Sequence, residues 1–303
     1  MSVATTGSEQ TYLAARHNWS FRDRFPRADH LFNGFDYGHA IVYENLVVHG
    51  MDSARIDGPT FDFVTTRVLR HPPAVPLEEA AIGPDYAKLV PEVVAMFEWA
   101  HGLHRQLYDV WGAYGLTDDQ RDAEAARVIR YYRSRRDLAF SARPKSMTLM
   151  EGQAYSLAFR RGVPKYNGLL WSYHWLQMAI YDALLTGKTE QVLQKSVDSL
   201  VDRFFGMIAD APRHMPDEMP MAPEAAPLFS ARYPDAAIIF DNLHSLHDVV
   251  SDILASPIVP AREKRAAILR AAAAYRDDTT AVISLDEWRM MGMMHHGGDT
   301  QRK

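Results

Sequence analysis

Residues 236–254 read AAIIFDNLHSLHDVVSDIL. The run is too long for a typical strand. Its apolar side chains, among them Ile238, Ile239, Leu243, Leu246, Val249, Val250 and Ile253, leave a narrow band for Asp241, His244, Asp248 and Asp252. At about 100° per residue these four polar groups share one face. The segment therefore predicts a buried helix carrying a stripe of acids and imidazole.

The same layout recurs outward along the chain. Phe35 to Val48, FDYGHAIVYENLVV, carries Asp36-x-x-His39; the long segment Tyr86 to Trp111 carries Glu98-x-x-His101; Leu169 to Leu185 carries His174 three residues after Trp171. With Asp241-x-x-His244 this makes four histidine segments, three of them with an acid one helical turn upstream. Asp109, Asp182 and Asp252 each follow their histidine by eight residues. Pro91 is the one residue placed to shape the start of the second segment or to kink it.

Between these segments, Asp118 to Arg135, Thr189 to Ile208 and Ala261 to Tyr275 read as amphipathic helices. Proline and glycine interrupt 51–87, 141–168 and 212–227, so these connections are irregular. Alternating strand patterns with hairpin turns do not recur. The expectation is an all-α helical bundle with long irregular connections, one domain over 1–303. An N-terminal arm covers 1–33 and a flexible Met/His-rich tail covers 286–303.

The 303 residues are 47% hydrophobic and 23% charged, with net charge -5 and pI ≈ 6.2. This composition favours a globular fold and gives no basic field for nucleic acid. The absence of cysteine excludes disulfides, thiolate zinc, iron–sulfur clusters and cysteine nucleophiles. The N-terminus has no basic start followed by an apolar core, and no apolar run suits a membrane span, so the sequence reads as cytoplasmic. A trimmed exported form would look the same.

Ionised carboxylates and imidazoles inside an apolar bundle are costly unless paired, bonded or coordinated. Several helices carrying them together point to a shared site, and a divalent cation would supply the compensating charge. In this respect the chain resembles the ferritin-like di-metal carboxylate proteins, whose helices supply two Glu-x-x-His pairs and two lone carboxylates. The resemblance implies that Glu98 with His101 and Asp241 with His244 form the pairs, and that Glu44 and Asp182 are the lone carboxylates. The chain departs from that pattern in using Asp241 and Asp182 where glutamate is usual, and in offering His39 and His174 as further ligands. His104 and His247 lie about 60° round from the acid stripes and read as packing or supporting residues. The alternative for any single histidine is a core residue bonded to a carbonyl or a tyrosine.

The functional expectation is a metal-dependent oxidoreductase or oxygenase acting on a small organic substrate. Iron is the first choice of metal, with manganese or copper as alternatives. A rival reading is a non-enzymatic metal or haem protein, with copper held by His214, Met215, Met219 and Met221 or by the Met290–His296 cluster. A third is a metal-free helical protein using His–Asp pairs for acid–base work. Arg133, Arg143, Lys145, Arg160 and Lys165 make the middle of the chain locally basic, as an anion entrance or a solvated surface would be. No phosphate loop, dinucleotide fingerprint or nucleophile elbow is present. Self-association is left open by the sequence.

Overall fold

Four long helices begin at a proline, and in each case the residue before it has almost the same backbone conformation. Phe25, Val90, Val163 and Tyr233 have φ between -139° and -125° and ψ between 55° and 61°. Proline suits the first helical position because its fixed φ is helical and the missing N–H has no intrahelical partner there. The computed structural model describes residues 5–187 and 189–294, and around these prolines it divides into four like units.

The first unit contains α1 (Ser20–Arg24), α2 (Pro26–His49), α3 (Ser53–Phe63) and α4 (Glu79–Ile82). The second contains α5 (Pro84–Leu89), α6 (Pro91–Gly112), α7 (Asp118–Ser134) and α8 (Thr148–Glu151). In the third are α9 (Ala158–Gly162), α10 (Pro164–Thr186), α11 (Glu190–Ala209) and α12 (Ala222–Ala225). The fourth is built from α13 (Pro227–Arg232), α14 (Pro234–Ala255), α15 (Ala261–Arg276) and α16 (Leu285–Met294). Each unit is a short helix, a bend, a long helix, an outer helix and a short closing helix. No strand occurs among the described residues, only an isolated bridge between Lys145 and Val282.

The repeat extends to single residues. Five positions before each proline stands a buried aromatic: Phe21, Tyr86, Phe159 or Phe229. Eighteen positions after it stands a carboxylate: Glu44, Asp109, Asp182 or Asp252. Each carboxylate accepts backbone N–H bonds at the start of another unit's short helix. Asp109 takes Trp19 N and Phe21 N at 2.8 and 2.9 Å, and Glu44 takes Asp85 N and Tyr86 N at 3.0 Å each. Asp182 takes Leu228 N and Phe229 N at 3.1 and 2.8 Å, and Asp252 takes Leu157 N and Phe159 N at 2.8 Å each. Helix N-termini present unpaired N–H groups and favour negative charge, so each cap satisfies both.

Capping is reciprocal. Unit one caps unit two and is capped by it; units three and four do the same. Within each pair the end of one long helix therefore lies at the start of the other. Each long helix of one pair also touches both long helices of the other, which sets α2, α6, α10 and α14 around a common centre. The outer helices have local start signals. Asp52 caps α3, Thr117 and Gln120 form a capping box on α7, and Thr189 caps α11.

The expected all-α bundle is present, with some boundaries moved. Tyr86 to Trp111 is two helices, α5 and α6, broken at Val90. The first long helix begins at Pro26, so the arm is shorter than 1–33. The arm is pinned: Gln106 bonds the backbone of Leu13 in both directions, and Arg22 pairs with Glu9 and Asp29. Residues 286–294 of the expected tail lie in α16, whose Trp288 is 1% exposed and donates to Asp241 Oδ2 at 2.7 Å. The rest of the Met/His-rich tail, 295–303, lies outside the described residues.

Candidate metal centre

Counted from the prolines, the inward stripe of each long helix falls into register. Ten positions on stand Asp36, His101, His174 and His244; thirteen positions on stand His39, His104, Gln177 and His247. Positions three apart on a helix lie on one face, so His101 with His104, His174 with Gln177, and His244 with His247 each share a stripe. Six of these eight positions are histidine.

Five of the six, His39, His104, His174, His244 and His247, are buried, and His101 is half-buried. The rings of His39, His101, His174, His244 and His247 form a continuous group. His39 lies 4.3 Å from His247 and 5.3 Å from His174, measured between ring centroids. His244 stacks on His174 at 3.7 Å, and His101 lies 5.6 Å from His247. Phe35, Phe97 and Phe240 pack around the group.

Three of these histidines converge. His39 from α2, His174 from α10 and His247 from α14 each offer one ring nitrogen, and the three atoms lie within 4.8 Å of one another. Nε2 of His39 and both ring nitrogens of His174 and of His247 are buried without a protein hydrogen-bond partner. Burial, reinforced by neighbouring imidazoles, pushes His39 down to about 3 and holds His174 and His247 well below the ordinary histidine value. Burial and the charge of Arg105 bring His101 to about 3. The rings are thus neutral near pH 7, the state in which imidazole ligates a metal.

The other expected site residues have separate places. Glu44 and Asp182 cap α5 and α13. Asp241 accepts from Ala222 N at 2.9 Å and from Trp288, and burial pushes its carboxyl up to about 7. Glu98 and His101 line a cleft with Glu79 and Arg105, about 20 Å³ in volume, or room for one water-sized molecule. His244 stacks on the trio without joining it. Of the eight expected ligands, the structure brings His39 and His174 into the convergent set.

His247 completes that set although its angle from the acid stripe marked it as a packing residue. The signal that finds it is the thirteen-residue spacing from Pro234, which matches Pro26 to His39 and Pro91 to His104. Of the acids on its helix, Asp252 caps α9, while Asp241 and Asp248 accept from the indoles of Trp288 and Trp171.

Fold and site together define an all-α protein of four tandem helical units enclosing a buried histidine cluster. No known family, curated protein or solved structure in the comparisons matches the chain.

Proposed function

We propose that the chain is a metal-dependent oxidoreductase whose metal, iron in first place, is held by His39, His174 and His247. The observation that carries this reading is the convergence of three buried, neutral imidazoles from three helices on one point. Imidazole suits iron, copper and zinc, whereas manganese favours the oxygen ligands that this trio lacks. Three neutral ligands in an apolar surround leave the charge of the ion uncompensated, which favours its lower oxidation state. The resting form is then iron(II).

The cleft lined by Glu98 and His101 has room for a molecule the size of water. A small oxidant is the reactant this reading assigns to so enclosed a centre. Its reaction draws electrons from the ion and from groups within reach of it.

Anaerobic titration of the full chain with iron(II), followed by elemental analysis after desalting, tests the proposal. One ion per chain is expected, with binding lost in His174→Ala and His247→Ala variants that keep the helical circular-dichroism spectrum. Absence of bound metal in the unaltered protein, or equal binding by the folded variants, overturns the assignment. Stoichiometric zinc in the protein as isolated would leave the ligands standing and overturn the redox role.

A further inference from the structure

The histidine cluster continues away from the trio into a second group of rings. His244 packs against Phe240 at 3.9 Å, and Phe240 against His104 at 4.5 Å. His104 Nδ1 lies 2.8 Å from the Tyr181 hydroxyl. Tyr181 in turn stacks on Tyr108 at 4.3 Å and on Phe229 at 3.8 Å. Every ring in this path is buried.

Tyr181 differs from the other buried tyrosines near the centre in what its hydroxyl meets. Tyr43, Tyr108 and Tyr166 donate to the backbone carbonyls of His247, Gln177 and Gly38. A carbonyl accepts a hydrogen bond but does not take up the proton. An imidazole nitrogen does. The Tyr181 hydroxyl also lies 3.3 Å from the His104 carbonyl and within hydrogen-bonding reach of the Tyr108 hydroxyl. With the ring proton of His104 on Nε2, Nδ1 is the acceptor for the phenol hydrogen.

We propose that Tyr181, paired with His104, is a one-electron donor to the centre at His39, His174 and His247. This rests on the redox reading of that centre. Burial holds the phenol of Tyr181 far above its ordinary pKa, so it does not lose a proton before it loses an electron. Electron and proton leave together: the electron passes toward the trio through the contacting rings of His104, Phe240 and His244, and the proton moves to His104 Nδ1. The O–H bond breaks, an N–H bond forms, and Tyr181 is left as a neutral phenoxyl radical.

With hydrogen peroxide as the oxidant the step balances. Peroxide accepts two electrons, one from iron(II) and one from Tyr181, its O–O bond breaks, and two protons from solvent complete two water molecules. The tyrosine proton stays on His104. A buried imidazolium without a partner at Nε2 is unfavourable, so the proton returns when the radical is reduced. The radical is thereby kept local and reversible.

The full chain, loaded with iron(II) and mixed with hydrogen peroxide, should give an organic free-radical signal by electron paramagnetic resonance. That signal should narrow when the protein is made with ring-deuterated tyrosine. Tyr181→Phe should abolish it while binding the same amount of iron and keeping the helical circular-dichroism spectrum. Tyr166→Phe, which removes a buried hydroxyl bonded to the Gly38 carbonyl, should retain it. A His104→Gln variant, whose amide does not take up the proton, should lower the yield of the signal. Stoichiometric iron with no radical, or a radical that survives Tyr181→Phe, overturns the relay and leaves the metal centre standing. Failure to bind iron overturns both.

Discussion

Replacing Asp252 by alanine removes the acceptor from two N–H groups, Leu157 N and Phe159 N, both at 2.8 Å. Phe159 is buried and Leu157 half-buried, so water does not freely replace the carboxylate. An unpaired buried donor costs about 1–3 kcal/mol, which puts the pair at about 4 kcal/mol. Burial has already pushed Asp252 up to about 6, so desolvation offsets part of what the bonds contribute at neutral pH. The expected loss is therefore about 3 kcal/mol, or about 6 °C in melting temperature for a chain of this size. Asp52 is the control. It accepts two N–H bonds at the start of α3, from Ala54 and Arg55, but is exposed. Asp52→Ala should cost about 1 kcal/mol, as exposed caps do. Half-buried Glu44 and Asp182 should fall between the two. Urea titrations of the five single variants, including Asp109→Ala, test the order. Equal losses at Asp52 and Asp252 would refute the argument that burial sets the cost. Loss of bound iron in folded Glu44→Ala or Asp182→Ala would return those carboxylates to the metal and refute the capping assignment.

Stability should peak near pH 6.5. Burial lowers His39 and His101 from 6.5 to about 3, so their contribution is present above pH 6.5 and is lost as pH falls through that window. Asp109 is raised by burial from 3.8 to about 8, so its contribution is present below pH 4 and is lost as pH rises toward 8. Each group contributes a slope of at most about 1.4 kcal/mol per pH unit. Unfolding at pH 5, 6.5 and 8 checks the maximum, and Asp109→Asn should flatten its alkaline side. Trp288→Phe removes the donor to Asp241 Oδ2 within the core and should cost about 1–3 kcal/mol by denaturant titration. Gly112→Ala places a methyl group 3.2 Å from Phe21 Cα and 3.3 Å from Phe21 N, so α1 must shift. The expected loss is about 1–3 kcal/mol, and an unchanged melting temperature would show that α1 yields freely.

The long helices were legible in sequence because their apolar runs exceed any strand, and α14 is buried at every position from Ala236 to Ala255. Their starts were harder to read. Pro26 lies in a polar, aromatic stretch that reads as an arm, and only its match with Pro91, Pro164 and Pro234 marks it as a first helical position. The carboxylates stand out in sequence, but what they bond to does not. An acid eight residues after a histidine has a known helical angle, yet the angle does not say what faces it. Asp109 meets N–H groups 88 and 90 residues away, and no local pattern points there. The convergence of the imidazoles was legible in part: His39 and His174 stood out, while the shared spacing from proline that admits His247 required aligning the units on their prolines.

The cluster has an energetic consequence that bears on whether it is mere packing. Seven ring nitrogens of His39, His104, His174, His244 and His247 are buried without protein partners. Each such nitrogen that nothing else meets opposes folding by about 1–3 kcal/mol. A leucine or phenylalanine at these positions would bury as much apolar surface without the penalty. Ring stacking returns about 0.5–1.5 kcal/mol per contact and leaves most of the cost in place. The four-unit repeat sharpens the point, since Gln177 occupies one of the eight equivalent positions and the fold therefore does not require histidine there. A ligand for the imidazoles offsets the cost where stacking does not. His39→Leu, His174→Leu and His247→Leu should therefore each raise the stability of the metal-free protein while reducing its affinity for iron. Destabilisation of the metal-free protein by all three replacements would show that the histidines serve the packing of the core.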